Sequence, residues 1–462
     1  MPVPGAIIVP HPPVILPTVG KGREKEIQAT TDAYRQAAQT VAGWKPDVLI
    51  VISPHAAVYA DYFHISPGSA AVGDMGGFGA PQTRLEVAYD IAFRRELIQL
   101  AEADGLPTGT LGERDADLDH GTLLPLWFLR EAGVDCPILR IGLSGLPPLA
   151  HYRLGQCAAR AADNLGRRAV LIASGDLSHK LKADGPYGFA PEGPEFDKAV
   201  TEAMSNGDFA RLLTMDPLFC NRAAECGLRS FQIMAGGLDG LAVESRLLSY
   251  QDTFGVGYGV AMFHVKGPDP DRCFAEQYQA AEARRLSAQK AKEDPWVRLA
   301  RLALETYVRT GNALAALPGG LPEPLTGRTA GAFVSLHVRG ELRGCIGTTA
   351  PTTASVAWEI IRNAVSAGTR DPRFPPVREE ELDALEYSVD VLEAPEPIQS
   401  PEELDVKRYG VIVSCEGRRG LLLPDLDGVE TVEQQIEIAR LKGGIGSNEP
   451  YRLERFEVVR HR

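Results

Sequence analysis

Two kinds of hydrophobic patterning divide the chain. In the first 265 residues, short unbroken apolar runs alternate with helix-like stretches. Ala6-Ile7-Ile8-Val9 is the first run. Val48-Leu49-Ile50-Val51-Ile52 is the second, bounded by Pro46-Asp47 and Ser53-Pro54. Cys136 to Ile141 and Ala169 to Ala173 are the third and fourth. Helices are predicted over Lys21 to Trp44, Leu123 to Ala132 and about Leu149 to Leu165. Continuous apolar strands separated by helices predict an α/β domain, with a partly parallel central sheet and helices on its faces. Phe254 to Met262 alternates glycine with larger residues and reads as a Gly-rich strand.

Past Val265 the pattern changes. Residues 266–294 are rich in Ala, Glu, Gln, Lys and Arg, and predict a connector that is helical in its second half. A helix is expected from Trp296 to about Thr310. Alternating strands follow at Ala332 to Val338 and Glu341 to Gly344, joined by a turn at Arg339-Gly340. Further strands are expected at Tyr387 to Leu392, Gly410 to Ser414 and Gly420 to Leu423. This pattern is α+β. The expected division is therefore 1–265, 266–294 and 295–462.

Charge and cysteine usage narrow the function classes. Lys plus Arg number 48 against 61 Asp plus Glu, a net charge of −13. Broad contact with a nucleic-acid backbone needs a cationic footprint, so such a partner is not expected. No apolar run reaches the roughly 18 residues of a membrane span, and the N-terminal residues lack signal-peptide features. Seven scattered cysteines without a CxxC pair predict a reducing, cytoplasmic setting rather than a disulfide framework or a zinc ribbon. A homo-oligomer is the expected assembly.

Histidines are few, nine in all. His11 follows the first apolar run, His55 the second and His179 the fourth. If these strands are parallel, three imidazoles reach one sheet edge, where open α/β sheets bind ligands. His120, in Asp119-His120-Gly121, is expected in a loop before the helix at Leu123. Imidazole binds iron, zinc or copper and also moves protons near neutral pH. Two histidines and a carboxylate would make a non-haem iron(II) site. Glu225 is the best local carboxylate, Glu244 a weaker one, and Cys226 a soft alternative beside Glu225. His64, His151, His264, His337 and His461 read as structural.

Val9-Pro10-His11-Pro12-Pro13, Ser53-Pro54-His55, Asp119-His120-Gly121 and Gly175-Asp176-Leu177-Ser178-His179 occur in order. Over about residues 5 to 265 they resemble the class III extradiol dioxygenases of LigB type and the related Memo proteins. The resemblance implies His11 and His55 as metal ligands, with Glu225 in the third slot. It implies His179 as acid/base and His120 facing substrate or dioxygen. Memo-type relatives carry a cysteine before a glycine in the third-ligand region, which Cys226-Gly227 matches. On the dioxygenase reading the cofactor is Fe(II), with zinc or copper as alternatives, and the substrate is catechol-like. Asp176 is expected to orient His179 or a loop amide, a turn-forming aspartate being the plain alternative.

In the last third, Leu342-Arg343-Gly344-Cys345-Ile346-Gly347-Thr348, Asp371-Pro372-Arg373-Phe374-Pro375-Pro376 and Gly420-Leu421-Leu422-Leu423-Pro424 resemble the AMMECR family over about 295 to 460. Cys345 reads either as an exposed thiol activated by Arg343 or as a cysteine packed between glycines. Arg343, Arg373 and Lys442 form either an anion site or ordinary surface ion pairs. Three functional readings follow: an iron(II) ring-cleaving dioxygenase fused to an accessory domain, a Memo-like metalloprotein, or a scaffold with a vestigial histidine cluster. Proteins resembling the two modules associate with radical-SAM partners, so the Memo-like reading implies a modification pathway.

Overall fold

A computed structural model describes every residue except 114–116, 339 and 427. The chain forms two compact units, Met1–Ala280 and Ala281–Arg462. Of the turn expected at Arg339-Gly340, Arg339 lies outside the described residues.

The first unit is built on a six-stranded mixed sheet. Its strands are β1 (Gly5–Val9), β2 (Val48–Ser53), β3 (Ile138–Gly142), β4 (Ala169–Ser174), β5 (Leu241–Gln251) and β6 (Tyr258–Pro268), in the order β3-β2-β4-β1-β6-β5. β1 to β4 run parallel, and β6 joins β1 antiparallel. The unbroken apolar runs are explained by burial on both faces. Ala6, Ile8, Ile50 and Leu171 pack into one apolar layer, whereas Ile7, Val9, Val51 and Ile172 pack into the other. Helices α1 (Gln28–Trp44), α2 (His120–Glu131), α3 (Pro148–Asn164) and α4 (Leu228–Gly236) flank the sheet.

Three local expectations shift. The helix predicted from Lys21 begins at Gln28, because Lys21 (φ 51°) and Gly22 (φ 108°) are left-handed and end the preceding turn. The Gly-rich strand starts at Tyr258 rather than Phe254, after a turn in which Gly255 has φ 79°. The connector is helical over Phe274–Lys292 (α5), more than its second half.

The second unit holds two antiparallel four-stranded sheets. The first is made by β7 (Ala332–Val338), β8 (Glu341–Gly347), β9 (Glu386–Leu392) and, last in the chain, β14 (Val458–His461), in the order β8-β7-β9-β14. The second is made by β10 (Glu396–Ile398), β11 (Gly410–Cys415), β12 (Arg418–Leu422) and β13 (Arg452–Phe456), in the order β10-β13-β11-β12. Helices α6 (Pro295–Thr310) and α7 (Val356–Thr369) bury Val334, Leu336 and Val389 of the first sheet, and α8 (Val432–Lys442) covers Val411 and Val413 of the second. Among the described residues no helix is long and apolar enough to cross a membrane.

Candidate metal centre

Because β1, β2 and β4 are parallel, Val9, Ser53 and Ser174 all end at one edge of the sheet. The segments after them carry His11, His55 and His179 to that edge. His11 is only 2 % exposed, while His55 is open to solvent. Their Nε2 atoms stand 3.0 Å apart, and Cys226 Sγ lies 3.7 Å from His11 Nε2. These three donor atoms all fall within 4.8 Å of one another. Two imidazoles and a thiolate at that spacing fit a single metal ion.

Glu225 is not part of this group, contrary to the sequence expectation. Its carboxylate turns to the start of α4 and accepts from the Leu228 N–H at 2.7 Å. Enclosure pushes the Glu225 carboxyl up to about 7. Ala224 is left-handed (φ 53°) at the end of the preceding short helix. The segment that follows directs Cys226, not Glu225, toward His11. Glu244 is also elsewhere, paired with Lys266 on the surface.

The surroundings fix the donors. Ser174 Oγ lies 3.0 Å from His11 Nδ1, and in the tautomer with Nδ1–H donating to it Nε2 keeps its lone pair for a metal. Asp176 accepts from the His11 backbone N–H at 2.8 Å, while its own N–H donates to Cys226 Sγ at 3.4 Å. Of the two orienting roles expected for Asp176, it takes the loop-amide one. Burial raises its carboxyl to about 6. Burial, reinforced by His55, lowers His11 to about 3, so its imidazole is neutral at physiological pH. Burial and then the Asp176 charge push the Cys226 thiol well up. A divalent cation reverses that, since a coordinated thiol loses its proton.

Gly175 and Gly227 make this arrangement possible. A Cβ on Gly175 would meet Gly227 Cα at 2.2 Å. The two backbones therefore touch, and that contact seats Cys226 beside the strand ends.

His120 is the first residue of α2, not a loop residue as expected from sequence. Asp119 caps that helix, accepting from Thr122 N at 2.9 Å and from Ser53 Oγ at 2.5 Å. The His120 ring centroid lies 4.2 Å from that of His55, and burial followed by His55 lowers His120 to about 4. His179 directs Nδ1 to the Ala224 carbonyl at 2.5 Å. In the neutral ring that bond places the proton on Nδ1 and leaves the Nε2 lone pair unprotonated. His11, His55, His120 and His179 all line one cavity of about 740 Å³, together with Tyr187 and Tyr258. His64 and His151 are buried on backbone partners, as expected of structural histidines.

The supporting roles of Ser53 and Ser174 are not predicted by the sequence pattern. Their signal was present, since both apolar runs end in serine at the same sheet edge. The role of Asp197 is not predicted either. It accepts from Ser178 N at 2.8 Å and from the Tyr250 hydroxyl at 2.7 Å, steadying the segment that carries His179. Burial raises its carboxyl to about 7. The folded chain therefore holds a proton there that the unfolded chain, with an ordinary carboxyl near 4, releases. The stability this confers is complete below about pH 4 and is lost as pH rises through about 7. Urea titrations between pH 5 and 8 are expected to show Asp197→Asn losing less stability with rising pH than the parent. Parallel slopes would contradict this.

In the second unit, Arg343 does not activate Cys345. Its guanidinium pairs with Glu381 at 2.8 and 3.1 Å, and burial raises the Cys345 thiol. Leu336 pairs with Gly344 but His337 with Leu342, so Arg343 is the extra residue of a β-bulge, which re-aims its side chain. Arg373 pairs with Asp371 at 2.7 Å. The three-cation anion site does not form as a unit.

The model of the catalytic LigB subunit of aromatic ring-opening dioxygenase matches residues 5–261, and the AMMECR1 model matches residues 297–461. A protein of Clostridium acetobutylicum is 38 % identical over 466 residues, covering 99 % of each chain. A Thermotoga maritima protein is 50 % identical over 172 residues, 37 % of this chain and 98 % of its own. The crystal structure of an uncharacterized protein from Pyrococcus horikoshii covers 36 % of this chain and 88 % of that one, at 32 % identity and a TM-score of 0.34. By the match over more than half its length, the chain belongs to the LigB family, with an AMMECR1 domain after its LigB domain.

Proposed function

We propose that the chain is a Memo-like metalloprotein that acts on a small organic substrate without extradiol ring cleavage. The observation that carries this reading is Cys226, rather than Glu225, beside His11 and His55. Extradiol-type iron chemistry uses two histidines and a carboxylate with open positions, whereas a thiolate makes the set softer and suits zinc, copper or iron. A metal held there would supply Lewis acidity and, if redox-active, electron transfer. The protein's own groups handle orientation and protons. Ser174 and Asp176 hold the His11 side chain and backbone. His179 stands at the cavity wall with Nδ1 held on the Ala224 carbonyl, and the neutral His120 ring accepts or donates one hydrogen bond. The resemblance of the two modules to proteins that associate with radical-SAM partners supports a role in a modification pathway.

Iron(II)-dependent ring cleavage of a catechol is the second reading. It is favoured by the presence of both His120 and His179 beside the donors. Metal analysis after anaerobic purification, then dioxygen uptake on a panel of catechols with iron(II) restored, separates the two. One metal per chain without catechol-dependent uptake is expected. Stoichiometric iron with such uptake would replace the proposal by the second reading.

A further inference from the structure

The two sheets of the second unit share one apolar cluster beside which a cleft opens. In that cluster Phe333 and Leu392 of the first sheet pack with Ile412, Phe456 and Leu421 of the second. The cleft has a volume of about 1070 Å³. Along β7 the residues lining it are Phe333, Ser335 and His337, while Ala332, Val334 and Leu336 face the core. Cys345 and Ser388 stand on either side of Ser335 in cross-strand register, making a row of small polar groups across three strands. The facing wall is apolar, with Leu421 and Leu423 half-exposed to the cleft.

The charges around this cleft are unevenly spent. Glu386 is paired with Arg285 at 2.8 Å and Asp390 with Arg460 at 2.9 Å. Asp425, also on the rim, stands 3.8 Å from Arg460. Arg373 and Arg419 are matched by Asp371 and Glu454, yet both remain substantially exposed. Lys442, in the last turn of α8, lines the cleft with no ion-pair partner among the described residues. Of the wall carboxylates, Glu386 has Arg285 while Asp390 and Asp425 share Arg460, and Lys442 is left as an uncommitted positive charge.

We propose that this cleft is a binding site for a small amphipathic anion. Its flat or apolar body lies between Leu421, Leu423 and Phe333 and the Ser335 row, and its acidic head reaches Lys442. The volume suits a molecule of ordinary cofactor or metabolite size. The proposal is independent of the metal centre, since every residue it uses lies in the second unit.

Anilinonaphthalene sulfonate, an aromatic body with one acidic group, is the probe. Titrated into the full chain, it is expected to saturate at one per chain and to protect Cys345 from iodoacetamide, followed on the Cys345 peptide by mass spectrometry. At ten times Kd, roughly nine-tenths occupancy slows that alkylation about tenfold. Lys442→Ala, at an exposed position, is expected to weaken binding by about threefold to fivefold, the scale of one exposed charge pair. N-phenylnaphthylamine, the same ring system without the sulfonate, is expected to bind more weakly than the sulfonate. Ser335→Trp would fill the floor and abolish binding. Cys345 alkylated at an unchanged rate under saturating probe would overturn the site. Equal binding of the two ring compounds, or no effect of Lys442→Ala, would overturn its preference for an anion.

Discussion

Cys226→Ala is expected to reduce metal affinity at least about a hundredfold, since losing even an outer-shell partner of a ligand costs roughly 10- to 100-fold. Glu225→Gln is expected to leave the metal content at one per chain. The two residues are adjacent, so the pair of variants holds local chain context nearly constant and changes only which side chain is removed. In the structure Cys226 Sγ is 3.7 Å from His11 Nε2, whereas the Glu225 carboxylate is bonded to Leu228 N. Glu225→Gln keeps an acceptor for that bond. Metal content measured on both variants, purified side by side, decides the matter. Full occupancy in Cys226→Ala with loss in Glu225→Gln would restore the two-histidine, one-carboxylate site.

Gly175→Ala is expected to cost stability and metal affinity together. The added Cβ would lie 2.2 Å from Gly227 Cα and 3.0 Å from the Phe231 ring. Neither neighbour is the free end of a flexible side chain, so backbone must move. Overpacking of this kind costs about 1–3 kcal/mol and occasionally more. The movement separates the Ser174–Asp176 segment, which holds His11, from the Cys226 segment, and so widens the donor set. Urea denaturation and metal titration on the same preparation check both effects. A variant that lost stability but bound metal with the parent's affinity would show that the glycine contact serves packing alone.

Most of the sheet was legible because burial on both faces leaves an unbroken apolar run, and such runs mark strands whatever the rest of the chain does. The strand-end histidines were legible for the same reason: once the runs are parallel strands, residues just past them must share an edge. What stayed hidden depended on loop geometry. Glu225 and Cys226 are neighbours without helical or strand periodicity, and the left-handed Ala224 before them leaves no mark in a hydrophobic pattern. His120 looked like a loop residue because the apolar spacing begins at Leu123, yet the Asp119 cap starts the helix three residues earlier. Arg343 and Cys345 are two apart in a strand-like string, which suggests a shared face. The bulge at Arg343 breaks that alternation.

The position of β1 has a consequence for the order of events during synthesis. It is the first strand made, yet it sits inside the sheet, and both of its neighbours come much later in the chain. His11 and Cys226 are 215 residues apart. At roughly 5–20 residues per second, on the order of ten to forty seconds pass between the appearance of the first donor and the third. Once His55 has followed His11, the nascent chain carries two histidines without their thiolate for the rest of that interval. On the proposed metal reading, loading with the full donor set is therefore a late step, open only after Cys226 has been made and β4 has seated Ser174 against His11.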